Sequence, residues 1–374
     1  MPQIEEAPQI DFSGNMWLRA FCVVSLACCF GYAKPSHAQG TTNVPTLAKI
    51  WPTNNNVGIS GYCHVLLFYG LGTTDLPGVP SGEAALRALT DEQAAIQTFG
   101  KTPFVRTRNG LRYFISRDPV FNTEVGETHR DQCLATFAAL DLKLDTPIHL
   151  KGYSYSISNL LSESIANFAF DQHEPAWTAL AYTKYLPPKK EWANRFGERT
   201  TFSQLARHLL NLDLKSQSCA GTHIFNALAK IHKADRRYSI LDSKTQKELD
   251  SFMTTMLRGV VQRQQKDGSW NNQWYAPGPD LGAGAKPTVE SKILVTGHLL
   301  EVLNSLDSER RPLDVVYLRA AECLRQSLNS PEIHNDGYGH LICPFTHAAR
   351  TAREILSPTQ TNRLSLADTF HHTE

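Results

Sequence analysis

A histidine returns at the same place in stretch after stretch of this chain, and no other feature constrains the fold as strongly. The stretches are GETHRDQCLATFAAL with His129, CAGTHIFNALAKI with His223, VTGHLLEVLNSL with His298 and CPFTHAARTAREIL with His347. GYCHVLLFYGL, with His64, is a looser copy, and PAWTALAYTKYL sets Trp177 where the histidine would stand. Each joins a polar head to an Ala/Leu-rich run, the pattern of a buried helix. The heads at Trp177 and His223 are 46 residues apart, those at His298 and His347 49. Repeats of this length carry two helices each and build a stacked array or a closed ring, and polar residues aligned in a ring face one shared cavity.

A second internal match supports the period. GYSYSISNLLSESI, from Gly152, aligns with GERTTFSQLARHLL, from Gly197, at an offset of 45 residues. Ser156 and Thr201 coincide as N-caps, and Asn159 and Gln204 fall at the third helical position, where Gln204 completes a capping box. Partner helices are expected over residues 81–99, 244–265 and 312–328. FVRTRNGLRYFIS, residues 104–116, reads instead as two short β-prone runs around Asn109-Gly110, a pair suited to a tight hairpin turn.

The ends differ in kind from the body. Arg19, an apolar run from Ala20 to Tyr32 and the small residues up to Ala38 read as a secretory signal cleaved after Ala38, with Met16 as an alternative start. Thirteen apolar residues are too few for a permanent span. The expectation is therefore a secreted or periplasmic protein: leader 1–38, extended linker 39–60, helical body 61–356 and disordered polar tail 357–374. Removing the leader leaves 35 basic against 33 acidic side chains, a balance that argues against nucleic acid as a partner. Five cysteines remain, Cys63, Cys133, Cys219, Cys323 and Cys343, and an odd, widely spaced set is not a disulfide framework.

The run Gln264-Gln265-Lys266-Asp267-Gly268-Ser269-Trp270 matches the Q-x-x-x-G-x-W element of the terpenoid cyclases. Over roughly residues 122–356 the chain resembles the wider superfamily that also includes the protein prenyltransferases. The resemblance implies an α/α toroid, in which outer helices surround inner ones whose ends open into a central cavity. Gly268 would make the sharp turn from outer to inner helix, and Gln264 and Trp270 would tie adjacent repeats. The D-x-D-D and D-D-x-x-D motifs are absent, so cyclisation chemistry does not come with it. Asp131-Gln132-Cys133 has the Asp-x-Cys spacing of the prenyltransferase zinc ligands, and GHLLE at His298 is similar to the G-H-x-x-E of sugar 2-epimerases. The expected fold is all-α: an α/α toroid of about six helical hairpins with one small β-hairpin insertion.

Positions i, i+3 and i+7 share a helical face. After the four histidines that face carries Gln132, Asn226 with Lys230, Glu301, and Arg350. On an otherwise apolar helix such a stripe faces a cavity, or else the outer surface of an ordinary amphipathic helix. His298, Glu301 and His129 are the candidate acid/base residues, because histidine transfers protons near neutral pH. Gln132, Trp177, Asn226, Trp270 and Arg350 are candidates for holding a small organic ligand such as a sugar or lipid. Cys219 with His223, and Cys343 with His347, repeat one Cys-x-x-x-His spacing and are the candidate zinc ligands. The competing reading makes those cysteines small packing residues and the protein a non-catalytic toroid that binds a ligand or an exported partner.

Overall fold

Burial on every side separates one set of helices from another. In the computed structural model the described residues are 44–52, 57–72, 78–116, 125–276, 287–334 and 339–357, all within the unit Gly40–Glu374. They are mostly helical: α1 (Ile59–Tyr69), α2 (Gly82–Thr90), α3 (Glu92–Phe99), α4 (Gln132–Ala139), α5 (Ile157–Ala166), α6 (Pro175–Tyr185), α7 (Phe202–Leu210), α8 (Thr222–Tyr238), α9 (Ser243–Arg263), α10 (Val289–Ser305), α11 (Asp314–Asn329) and α12 (Ile342–Ile355). In α4 every residue from Gln132 to Ala138 is buried. By contrast α9 buries only a stripe, Thr245, Leu249, Met253, Val260 and Arg263. Helices of the first kind need apolar neighbours all round, whereas the second kind covers a core with one face.

The more deeply buried helices pack in a fixed order: α1 on α4, α4 on α6, α6 on α8, α8 on α10, α10 on α12, and α12 back on α1. Five of the remaining helices lie against these, and α3 packs on α2. α2 packs on α1, α5 on α4, α7 on both α6 and α8, α9 on α8, and α11 on α10 and α12. The expected helix over 81–99 is two, α2 and α3, because the Asp91 carboxylate accepts from Ala94 N–H at 2.7 Å and starts a new one. None of the described helices is long and apolar enough to cross a membrane.

Three antiparallel hairpins are present where one was expected. β1 (Phe104–Arg106) and β2 (Leu111–Tyr113) turn at Asn109-Gly110 as read from the sequence. β3 (Pro147–Leu150) pairs with β4 (Tyr153–Ser156), and β5 (Glu191–Ala193) with β6 (Arg199–Thr201). Each of the last two leads directly into a capped helix. Ser156 N–H donates to Asn159 Oδ1 at 2.9 Å before α5. Before α7, Thr201 N–H donates to Gln204 Oε1 at 2.8 Å and Gln204 N–H to Thr201 Oγ1 at 3.1 Å. The 45-residue repeat is thus a hairpin, a cap and a helix, longer than its helical part alone.

Part of the segment read as a linker belongs to the body. Leu47, Ile50 and Trp51 are buried, Lys49 Nζ donates to the carbonyls of Leu328 and Ser330, and α1 begins at Ile59. Apolar residues spaced for one turn of helix were hidden there among Thr, Asn and Pro. The leader and residues 358–374 lie outside the described residues.

The Q-x-x-x-G-x-W run does fasten neighbouring elements. Gln264 Nε2 donates to Val316 O in α11 at 2.8 Å, and Trp270 donates from Nε1 to Val260 O at 2.7 Å and from its backbone N–H to Thr296 Oγ1 at 3.0 Å. Gly268 has φ +90°, and a Cβ there would lie 2.2 Å from Arg319 O, so the turn admits only glycine. Trp270 is wholly buried with its N–H used, and it is therefore a structural residue and not the ligand wall expected of it.

Candidate metal centre

Aromatic rings from successive inner helices touch in series. His129, just before α4, stacks on Trp177 of α6 at 5.3 Å between ring centres. Trp177 meets His223 of α8 at 4.9 Å, His223 meets His298 of α10 at 5.3 Å, and His298 meets His347 of α12 at 4.0 Å. His347 then meets His64 of α1 at 5.2 Å. The shortest of these steps has a backbone cause. A Cβ on Gly297 would lie 2.7 Å from Ala348 N, so glycine lets α10 and α12 approach until the histidines beside them face each other. The recurrent residues do come together in one contiguous cluster of rings, although not all at helix heads: His298 is the tenth residue of α10.

The entries to three inner helices are left-handed. Asp131 before α4, Glu174 before α6, and Cys219, Ala220 and Gly221 before α8 all have φ between 50° and 75°. Such backbone costs of order 1–3 kcal/mol per non-glycine residue and persists only where its surroundings hold it. At Glu174 and Cys219 it sets a carboxylate and a thiol beside the histidines, where Glu174 Oε2 abuts His129 Nδ1. The Asp131 carboxylate instead accepts the hydroxyls of Ser164 and Thr178, which fixes α5 and α6 to the entry of α4.

Three groups of donor atoms result among the described residues, each with its atoms within 4.8 Å of one another: Cys219, His223 and His298; His129, Glu174 and His223, which shares His223 with the first; and His64, Cys343 and His347. Cys343 links the last group to the first. Its Sγ lies 4.0 Å from His298 Nε2, and the Cys219 and Cys343 thiols act on each other's ionisation. The four residues with Cys-x-x-x-His spacing consequently do not form one site. They divide between two adjoining groups, with His298 joining Cys219 and His223 in one and His64 joining Cys343 and His347 in the other.

Hydrogen bonds fix several of the rings from behind. His298 Nδ1 is 2.8 Å from its own helix's Leu294 O, which places the proton on Nδ1 and leaves Nε2 as an acceptor toward Cys343. His347 Nδ1 is 2.6 Å from Glu301 Oε2, and its buried Nε2 has no partner among the described residues. The same holds for His64 Nδ1 and for both ring nitrogens of His223. A cluster arranged this way carries several unpaired buried groups, each costing about 1–3 kcal/mol.

Charge is arranged to match. The Cys219 thiol is held far below its ordinary range, first by its interaction with Cys343 and then, against burial, by His223 and His298. Cys343 is pushed up by its interaction with Cys219 and by burial. Burial works to lower His223, and the Cys219 thiolate and Glu174 outweigh it. His64 is lowered well below the usual imidazole range by burial and by the charges of His347 and His298, and His347 by burial and His298. Burial opposes ionisation of Glu301, but His347 and Arg350 hold it well below the carboxylate range.

The acid/base pair expected on α10 is not formed. Glu301 turns to His347 of α12 and to Arg350, 3.4 Å away, while His298 bonds backbone. Arg350 also pairs with Glu354 at 3.1 Å and so is engaged. Gln132 is buried and donates to Ser60 Oγ at 2.8 Å, joining α4 to α1. Trp177 stands within the cluster with its Nε1 unpartnered among the described residues, and half-buried Asn226 has an unpartnered Oδ1. Sequence reasoning gave no site role to His64, although its stretch was a looser copy, nor to Glu174. The position of Glu174, three before Trp177 as Cys219 is four before His223, was the available signal. No family model matches the sequence, and no curated protein or solved structure matches it.

Proposed function

We propose that the six inner helices form the inner layer of an α/α toroid, and that its chamber holds a zinc ion on Cys219, His223 and His298 with Cys343 as fourth ligand. The cyclic order of helix contacts supports the toroid. One observation carries the metal: His223, buried with neither ring nitrogen hydrogen-bonded, faces a thiolate and an acceptor nitrogen of a second histidine. Two thiolates and two imidazoles are a zinc donor set, and bond lengths of about 2.0–2.3 Å need only a small contraction of the group. Histidines anchored from behind by a carbonyl or carboxylate are the usual support of such ligands.

In this reading the protein is an exported, zinc-dependent enzyme acting on a small organic ligand. Four protein ligands would close such a site, so Lewis-acid chemistry on a ligand would require Cys343 to give up its place to water or substrate. Trp177 offers a flat wall beside the ion, and Asn226 a free amide oxygen. The test is the metal content of the purified full chain after equilibration with zinc and gel filtration. At least one zinc per chain, lost on the double change Cys219→Ser and His223→Ala, is expected. A metal-free chain would refute the proposal.

A further inference from the structure

The His64, Cys343 and His347 group adjoins the first site and shares a residue with it. Its three donor atoms lie within 4.8 Å of one another and come from α1 and α12. His64 and His347 are 3% and 5% exposed, and His64 Nδ1 and His347 Nε2 have no partner among the described residues. The Glu301 carboxylate, 2.6 Å behind His347 Nδ1, keeps the proton on that side and leaves Nε2 a lone pair directed into the group. Nothing in the packing of α1 against α12 requires two imidazoles edge to face at 5.2 Å; valine or leucine would fill the same space without orphaned nitrogens.

We infer that the chamber is binuclear, with a second divalent transition-metal ion on His64 and His347 and with the Cys343 thiolate bridging it to the first. The inference rests on the zinc centre proposed above and adds to it. Cys343 belongs with His64 and His347 and reaches the first group through His298 Nε2, 4.0 Å from its Sγ, and the His298 and His347 rings themselves lie 4.0 Å apart. A thiolate has lone pairs for two ions, and paired ions in such centres stand about 3.5–4 Å apart. The Cys219 and Cys343 thiolates and the Glu301 and Glu174 carboxylates together supply four negative charges around two divalent ions, with Arg350 beside Glu301. The two ions differ in kind. The first has four protein ligands and cross-links α8, α10 and α12. The second has three, which leaves its remaining tetrahedral place to water or substrate and makes it the reacting ion.

Stoichiometry tests this without an activity assay. The full chain, equilibrated with zinc and freed of excess by gel filtration, is expected to carry two ions by elemental analysis and by native mass spectrometry. The His64→Ala chain, with helicity checked by circular dichroism, is expected to carry one. Titration of the metal-free wild type with cobalt(II) gives a second readout independent of that variant's folding. Thiolate-to-cobalt absorption should grow to two equivalents, since Cys343 binds both ions. One ion in the wild type, or two ions in His64→Ala, overturns the binuclear site and leaves the single zinc centre standing. No ion at all overturns both.

Discussion

Glu127 is a buried carboxyl in the loop before α4, 4% exposed, and its neighbours make it a measurable reporter of the packing there. Its Oε1 accepts the Cys133 N–H at 2.6 Å, and it sits among Tyr113 and the Cys63 and Cys133 thiols, whose sulfurs are 3.4 Å apart. Burial, followed by the charge of Asp131, pushes its pKa up to about 8. In the unfolded chain a glutamate ionises near 4.3. Between these values the folded protein holds a proton that the unfolded chain has released, so stability falls as pH rises and is level outside that window. One proton gives a slope of about 1.4 kcal/mol per pH unit, and the full window an upper limit of about 4–5 kcal/mol. Water in the cavity of about 320 Å³ that Glu127 lines with Arg130 and Asp131 would trim that limit. Glu127→Gln keeps the acceptor and removes the titration. Urea unfolding of both chains at several pH values from 5 to 8, followed by fluorescence and circular dichroism together, gives the difference in stability with other titrating groups cancelled. The wild type should lose ground to the variant steadily across this range. A difference that stays constant with pH would mean that Glu127 is already ionised in the fold, and the burial argument would fail.

The zinc content of the wild type and of the Cys219→Ser, His223→Ala chain, and the second ion lost in His64→Ala, are the expectations already set against elemental analysis. Gly268→Ala should destabilise the protein by about 2–3 kcal/mol, since a Cβ would meet Arg319 O at a φ of +90°; an unchanged thermal midpoint would contradict the tight turn. Alkylation of the zinc-loaded chain should be slow at Cys219 and Cys343 and become fast when a chelator is added, while wholly buried Cys63 and Cys133 stay slow in both states. Mapping the modified cysteines by mass spectrometry decides it, and equal rates at Cys219 and Cys343 with and without chelator would count against metal ligation.

How far the site could be read from the sequence depended on whether a contact is set within one helix or between two. The recurrence of His129, Trp177, His223, His298 and His347 on successive packed helices follows from the repeat, although the spacing is uneven, 75 residues from His223 to His298 against 46 from Trp177 to His223, and His298 sits ten residues into α10. Pairing does not follow. The rule that i and i+3 share a face put Glu301 with His298, yet the carboxylate reaches α12 and takes His347, since Gly297 lets α10 and α12 approach until a side chain spans the gap. The same closeness moves His298 from proton transfer to the donor group of Cys219. Trp270 was misjudged for a related reason: an aromatic residue after a tight turn packs under the turn or faces a cavity with equal ease, and only the Val260 carbonyl decides. The β3–β4 and β5–β6 hairpins escaped notice because strands of three or four residues carry too little alternation to register. Their turn glycines, Gly152 and Gly197 with φ of 77° and 79°, were nonetheless in the aligned repeat.

These local and long-range determinants meet at the entries to the inner helices. A left-handed residue at Glu174 or Cys219 has no apparent return in stability, since each costs more than a glycine would and neither lies in a regular turn. Replacing Cys219 by glycine would relieve the backbone but remove the thiol, and the same applies to the carboxylate at Glu174. At Gly221, where Leu214 leaves no room for a Cβ, the chain does use glycine. Ala220 beside it is left-handed with no donor to present, and Asp131 spends its carboxylate on Ser164 and Thr178. Left-handed backbone therefore marks the entries to α4, α6 and α8 in general, and only at Glu174 and Cys219 does it coincide with a side chain in the donor groups.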